Sequence, residues 1–167
     1  MKKISYLLLV VLFASSCEKN NDSIKEELEK ALPVIQVTSM GLMLQTGPFV
    51  PADVIGVTFG GAITKANPGT VDFAWYDAPS SGAATRIDSV HFPSFTEKAA
   101  TANGNNSVTT SFYPATYPNT NYFTGTLALK LTKLPVGNKS YTLRIYVRTE
   151  DGSKVSTFAV TKFITMK

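Results

Sequence analysis

Hydrophobic and polar residues alternate one by one along most of the chain after Pro33. This period of two is typical of β-strands that are buried on one face and solvated on the other. The clearest runs are Val57 to Thr64, Val71 to Tyr76 and Tyr141 to Arg148. Weaker runs predict further strands at 35–38, 86–92, 107–113, 126–132 and 155–164.

Turn-forming residues separate these runs. Asn67-Pro68-Gly69 and Asp151-Gly152 are turn signals. Gly60-Gly61 lies inside a predicted strand, which favours a bulge or a close approach of another backbone. A change of phase between Val155 and Ile164 predicts a bulge in the last strand.

The spacing of these strands indicates the fold class. Half-polar strands with no long helical period between them form antiparallel sheets that pack face to face. A single sheet would leave one apolar face in water. We therefore expect an all-β fold, an antiparallel sandwich of about seven strands.

Three stretches carry a resemblance to immunoglobulin-like and fibronectin type III domains. Residues 134–147, LPVGNKSYTLRIYV, look like the corner between the fifth and sixth strands, with Tyr141 as the corner tyrosine. Trp75 resembles the core tryptophan of these sandwiches, and 57–62 is similar to the second strand of polycystic-kidney-disease-type modules. The resemblance implies an Ig-like β-sandwich over residues 33–167, with the Tyr141 hydroxyl bonded to nearby backbone. It implies little about function.

A mostly apolar run at residues 4–14 precedes the strands, after two lysines. Its length is that of a signal-peptide core and is too short to span a bilayer. The sequence ASSC, which ends at Cys17, resembles the lipobox of bacterial lipoproteins, in particular those of the Bacteroidetes. The resemblance implies a signal peptide at 1–16 and a lipid such as palmitate on Cys17. The alternative is a cleaved secretory signal in which Cys17 is incidental.

Cys17 is the only cysteine of the 167-residue chain, so no intrachain disulfide can form. A free thiol in an oxidising envelope would be a liability, which favours a lipidated Cys17. Residues 17–32 then form a polar tether. Ser23 and Glu26 have capping-box spacing and predict a short helix there, with a disordered spacer as the alternative.

Charge excludes some partners. The net charge of +4 falls to +2 once the predicted signal peptide removes Lys2 and Lys3, and the remaining lysines and arginines are spread singly, so we expect no nucleic-acid partner. No second apolar run is long enough to cross a membrane, so the lipid on Cys17 is the expected membrane anchor.

The sequence carries no catalytic or metal-binding signature. His91 is the only histidine, and its sequence neighbours Asp88 and Ser89 cannot meet it as a triad, so we expect a half-exposed histidine at a strand end. One histidine and no spare cysteine exclude a zinc site of the usual ligands. No glycosidase pair is marked among the carboxylates after the tether, which are Asp53, Asp72, Asp77, Asp88, Glu97, Glu150 and Asp151. We expect no enzyme activity, no metal and no cofactor.

Residues 93–126 form a long segment rich in Asn, Thr, Ser, Gly and Pro, with interleaved aromatics. We interpret it as an elaborated connection. Tyrosine faces stack on sugar rings, and Asn or Thr bond sugar hydroxyls, so Tyr113, Tyr117 and Tyr122 are the candidate ligand-binding residues. The alternative is that these aromatics cover the sandwich edge or extend its core.

Two short matches resemble the O-glycosylation motif of Bacteroidetes envelope proteins. They are centred on Ser23 and Ser89, the first in the tether and the second in a predicted strand. Matches of three residues also arise by chance.

These observations predict a non-catalytic lipoprotein of the outer membrane, on its periplasmic face or at the cell surface. The expected role is a binding or interaction module for a glycan or an envelope protein. The alternative is a structural accessory subunit of a larger envelope assembly for nutrient uptake or adhesion. A hydrolase is the third hypothesis, and a buried carboxylate pair would support it.

Overall fold

The computed structural model describes residues 23, 24 and 27 and the ranges 34–64, 66–77, 82–94, 106–117 and 119–167. The chain divides into two compact units, Met1–Pro33 and Val34–Lys167. In the first unit, Ser23, Ile24 and Glu27 are helical. The predicted signal peptide, Cys17 and the rest of the tether lie outside the described residues. No helix among the described residues is long and apolar enough to cross a membrane.

The described residues of the second unit form eight β-strands, where the alternation predicted about seven. They are β1 (Val34–Leu42), β2 (Val54–Thr64), β3 (Pro68–Asp77), β4 (Arg86–Phe92), β5 (Ser107–Pro114), β6 (Thr120–Lys130), β7 (Lys139–Thr149) and β8 (Val155–Met166). The strands form two antiparallel four-stranded sheets, in the orders β1-β2-β6-β5 and β4-β3-β7-β8. The predicted all-β sandwich is confirmed.

The core lies between the sheets and consists of the inward half of each alternating run. Phe59 of β2 and Phe73 of β3 meet edge to face across the sandwich, with ring centroids 5.4 Å apart. Trp75 is 1% exposed, and its ring lies 6.2 Å from that of Phe163 on β8. The inward position predicted for Trp75 is therefore confirmed.

Tyr141 fixes the connection between β6 and β7. Its ring is buried, and its hydroxyl donates a 2.8 Å hydrogen bond to the carbonyl oxygen of Pro135. Burial raises the pKa of Tyr141, and the charge of Asp77 adds to this effect. The predicted bond between this hydroxyl and nearby backbone is confirmed.

Glycines mark the closest approaches between strands, as the Gly60-Gly61 pair predicted. A Cβ at Gly61 would lie 2.0 Å from the carbonyl oxygen of Gln36 on β1. The register of β1 shifts opposite this pair, between Val37 and Ser39. On β6, a Cβ at Gly125 would lie 2.3 Å from the Phe59 ring, so this glycine leaves the ring its space.

The predicted bulge in the last strand is also present. The pairing of β7 with β8 shifts register between Tyr141 and Leu143, and Lys162 of β8 has a φ of 51°. The bulge holds two extra residues of β8, so Phe158 before it and Ile164 and Met166 after it all pack into the core. Phe163, which is out of phase with them in the sequence, lies against Trp75.

The described part of the segment 93–126 is largely strand rather than an elaborated connection. It contains all of β5 and the first part of β6, which pair as a hairpin. The alternation of this hairpin is hard to recognise in the sequence because two inward positions are not apolar side chains. They are Thr110 on β5 and Gly125 on β6. Such residues interrupt the hydrophobic half of the pattern without changing the backbone.

Candidate functional site

The structure brings Tyr113 and Tyr122 side by side. The two residues are direct partners in the β5–β6 hairpin, so their side chains leave the same face of the sheet. Their neighbours Phe112 and Phe123 point inward, with ring centroids 6.3 Å apart. Tyr113 is 54% exposed and Tyr122 is 49% exposed. We call Tyr113 and Tyr122 the tyrosine pair.

Tyr117 belongs to a different surface. It lies in the turn between β5 and β6, is 72% exposed, and lines an open cavity of about 580 Å³ at the end of the sandwich. Asn119 and Asn121 line the same cavity, whereas neither member of the tyrosine pair does. The candidate residues therefore separate into a pair and a single tyrosine.

Beside the tyrosine pair, the outer face of sheet β1-β2-β6-β5 forms a shallow trough of about 570 Å³. Its outward side chains are small, and most of them end in hydroxyls. They are Ser39, Gly41, Thr58, Gly60, Thr109, Ser111, Thr124 and Thr126. We call this surface the hydroxyl trough.

Strand register fixes the position of the trough against the pair. Ser111 and Thr124 are partners across β5 and β6, and each stands two residues from a tyrosine of the pair. Two residues of a strand span about 7 Å, so the trough begins where the rings end. Pyranose-sized groups on the rings would therefore reach the trough.

The middle of the trough is open because Gly60 has no side chain. A Cβ at this position would meet the carbonyl oxygen of Phe123 and the Ser39 hydroxyl, each at 3.2 Å. Glycine thus leaves the floor at backbone level, flanked by hydroxyls that both donate and accept hydrogen bonds.

The remaining candidate residues lie elsewhere. Ser23 is exposed, and Ser89 is exposed on β4 at the edge of the other sheet. The side chain of His91 is 56% exposed at the end of β4, which confirms the predicted half-exposed histidine. Its Nδ1 lies 2.6 Å from a carboxylate oxygen of Asp72, on the adjacent strand β3.

Carboxylates in the described part of the chain are not buried. The aspartates and glutamates described within residues 34–167 bond separate partners. Asp53 bonds the Val50 amide, Asp77 bonds the Thr85 amide, and Asp72 bonds His91 and Arg148. Asp88 bonds Lys133, Glu150 bonds Asn67, and Asp151 bonds Thr149 and Ser153. No group of three or more His, Cys, Asp or Glu side chains suited to a metal ion occurs among the described residues.

The sequence interpretation missed the hydroxyl trough. Its residues are the outward half of four strands, and each strand alone reads as an ordinary solvated face. The available signal was the choice of Thr, Ser and Gly at these positions instead of charged residues. The trough becomes visible only when the pairing of β2 with β6 is known, and these two strands are distant in sequence.

No protein-family model matches the chain, and no curated protein matches it. One solved structure with a similar arrangement is astrotactin-2, a vertebrate-specific, perforin-like membrane protein involved in neuronal development. It matches at 11% identity and a TM-score of 0.40, over 77% of this chain. A DUF4466 family protein from Parabacteroides merdae matches at 13% identity, a TM-score of 0.39 and 81% coverage. Spo0M, a sporulation control protein of Bacillus subtilis, matches at 10% identity, a TM-score of 0.38 and 80% coverage.

The chain spans 22%, 46% and 50% of the length of these three proteins, respectively. Similarity at this level says nothing about what the chain binds.

Proposed function

We propose that this protein is a non-catalytic binding module for saccharides, anchored to the outer membrane by a lipid on Cys17. One observation carries the binding part of the proposal. Tyr113 and Tyr122 are cross-strand partners, each about half exposed, beside a trough of hydroxyl groups.

Strand order supports an Ig-like module. Lettered in chain order, the sheets have the orders A-B-E-D and C′-C-F-G, which are those of immunoglobulin-type domains. The bond from Tyr141 to Pro135 corresponds to the tyrosine corner of such domains. Because this fold carries many functions, the proposed function rests on the surface and not on the fold.

The tyrosine pair offers what the apolar face of a sugar ring requires. Two adjacent phenol rings present a broad surface that loses little conformational entropy on binding, since each side chain has two torsions. Packing within the sandwich does not account for the two tyrosines, because both are about half exposed, whereas the neighbouring Phe123 is buried in the core and Phe112 packs against it.

The hydroxyl trough offers what the polar edge of a sugar requires. Serine and threonine hydroxyls donate and accept, as sugar hydroxyls do, so the two sets can pair without burying a charge. The glycine floor at Gly60 allows a ring to approach the backbone. This combination of apolar platform and a few polar groups is typical of small-ligand sites.

A glycan array with the full chain tests the proposal. In the double variant Tyr113→Ala/Tyr122→Ala, we expect at least about tenfold weaker binding, which corresponds to about 1.4 kcal/mol. We expect a melting temperature within about 4 °C of the wild type, because neither ring is buried. Tyr117→Ala is the matched control, since it removes an exposed tyrosine outside the trough.

Two results would contradict the proposal. Unchanged glycan binding by the double variant would show that the tyrosine pair takes no part in it. Early unfolding of the double variant, together with no glycan bound by the wild type, would show that the rings are structural.

The alternative function is an accessory subunit of an envelope assembly. Exposed tyrosines also occur frequently in protein interfaces, so the same pair suits a protein partner. Pull-down from detergent-solubilised membranes tests this alternative. Recovery of one envelope protein by the wild type and by Tyr117→Ala, but not by the double variant, would favour it over saccharide binding.

A further inference from the structure

The second sheet carries a group of side chains on its outer face that the proposed saccharide site does not use. Tyr76 leaves this face from β3, and Arg144 and Tyr146 leave it from β7. Arg86 of β4 is the direct partner of Tyr76, so its side chain leaves the sheet beside the tyrosine. We call these four residues the arginine–tyrosine cluster.

Contacts within the cluster fix the Arg144 guanidinium. It lies 4.8 Å from the centroid of the Tyr76 ring, and its Nη1 donates to the Tyr146 hydroxyl at 3.4 Å. The two tyrosine hydroxyls are 2.8 Å apart. Ala74, the strand partner of Arg144, is only 2% exposed although it points to the same face, which indicates that the cluster covers it. The guanidinium is therefore oriented before any ligand arrives.

Positive charge on this face exceeds the local negative charge. In the described part of the chain, no carboxylate lies within ion-pair distance of Arg86 or Arg144. Asp72 leaves the same face, but it already bonds both His91 and Arg148. Burial raises the pKa of Tyr146, but hydrogen bonds from Tyr76 and Arg144 outweigh burial and the pKa is lowered.

We propose that the arginine–tyrosine cluster is a binding site for an oxyanion, with Arg144 as the main donor and Arg86 as the second positive charge. The fork of a guanidinium matches two oxygens of a carboxylate, sulfate or phosphate group. The tyrosine hydroxyls add neutral donors at the edge of the site. Acidic saccharides and free anions are the two sources of this chemistry. The site lies on the sheet opposite the hydroxyl trough and does not depend on saccharide binding there.

Calorimetric titration of the full chain tests the site, with trigalacturonate, its neutral counterpart galactotriose, and inorganic phosphate as probes. We expect at least one anionic probe to bind saturably and more weakly as salt rises, because added salt screens the charges. Arg144→Gln should weaken this binding by at least about tenfold, the loss of a charge-assisted pair. Saturation by trigalacturonate alone identifies an acidic saccharide, and saturation by phosphate alone identifies a free anion.

Arg148→Gln is the matched control. It removes the same charge from the same strand and face, but from a side chain that Asp72 already engages. We expect it to weaken binding less than about threefold. Equal losses of affinity in Arg144→Gln and Arg148→Gln would mean that diffuse surface charge attracts the anion, which would overturn the proposal. Binding of galactotriose as tightly as trigalacturonate would also overturn it. So would the absence of binding by both trigalacturonate and phosphate. If Arg144→Gln does not fold, Arg144→Lys replaces it, since lysine keeps the charge and loses the fork.

Discussion

Trp75 is the largest side chain that the core buries completely, and it lies in the central strand β3. Replacing it by alanine removes the contact with Phe163 and leaves a cavity between the sheets. We expect Trp75→Ala to lower the free energy of unfolding by about 3–5 kcal/mol. Denaturant melts measure the change, with exposed Val155→Ala as a control that stays within about 0.5 kcal/mol. A loss of less than about 1 kcal/mol for Trp75→Ala would contradict its inward packing.

Thr110 is a polar residue in the core, on the inward face of β5. Its hydroxyl is buried, and no described residue offers it a hydrogen bond. A buried hydroxyl without a partner costs free energy that an isosteric methyl does not. We expect Thr110→Val to raise the free energy of unfolding by about 1 kcal/mol. The adjacent, exposed Thr109→Val is the control, and destabilisation by Thr110→Val would show that the hydroxyl has a partner.

Tyr141 differs from these two because its ring is buried while its hydroxyl reaches exposed backbone. Tyr141→Phe should cost about 1 kcal/mol at neutral pH, since water can replace the hydroxyl at the exposed Pro135. The raised pKa of Tyr141 adds a pH dependence, because the folded state holds this proton more tightly than the unfolded chain. That stability is present below about pH 10 and is lost as pH rises through the folded pKa.

Denaturant melts of wild type and Tyr141→Phe across this range measure both effects. The gap between the two proteins should narrow above about pH 10, because only the wild type loses the stability that comes from the retained proton. A constant gap would mean that burial does not perturb this hydroxyl.

At the scale of elements, the glycines of β2 and β6 decide how closely strands and rings approach. Gly61→Ala would push a methyl group into the Gln36 carbonyl, which is backbone and cannot rotate away. We expect it to destabilise the protein by about 1–3 kcal/mol or more, as overpacking does. Gly41→Ala is the matched control on β1, because its Cβ would lie 3.7 Å from the Thr58 hydroxyl oxygen, which is ordinary van der Waals contact. Equal stability of the two variants in denaturant melts would rule out the close approach.

Alternation predicted the strands well where the inward positions carry large apolar side chains, as in β3 and most of β7. It predicted the β5–β6 hairpin poorly because Thr110 and Gly125 occupy inward positions. Residue type alone could not show that Thr110 is buried or that Gly125 makes room for Phe59. Both facts depend on residues of the opposite strand or sheet, and the sequence of a single strand does not show which distant strand pairs with it.

The candidate site was predicted in part for the same reason. Tyr113, Tyr117 and Tyr122 were grouped by their nearness in sequence, but strand register joins only the first and the last. The hydroxyl trough and the arginine–tyrosine cluster each combine residues from at least three strands. Their members look like ordinary outward positions until the sheets are assembled.

At the scale of the whole molecule, the two sheets offer chemically different outer faces. The face of β1-β2-β6-β5 carries hydroxyls and two phenol rings, with Lys130 at the end of β6, whereas the face of β4-β3-β7-β8 carries arginines and an aspartate. A sandwich with two such faces can contact two ligands at once.

Display at a membrane requires the anchor, and the N-terminal sequence predicts it at Cys17. The positive start, the apolar run and the small residues before this cysteine are the features from which the lipid was inferred. We expect Cys17→Ala to abolish incorporation of labelled palmitate and to release or mislocalise the protein, because the lipid on Cys17 is the expected membrane anchor. Cys17→Ser is the companion variant, since it keeps the size of the side chain and removes the thiol. Equal label in wild type and both variants would show that Cys17 carries no lipid, and the protein would then be a secreted sandwich.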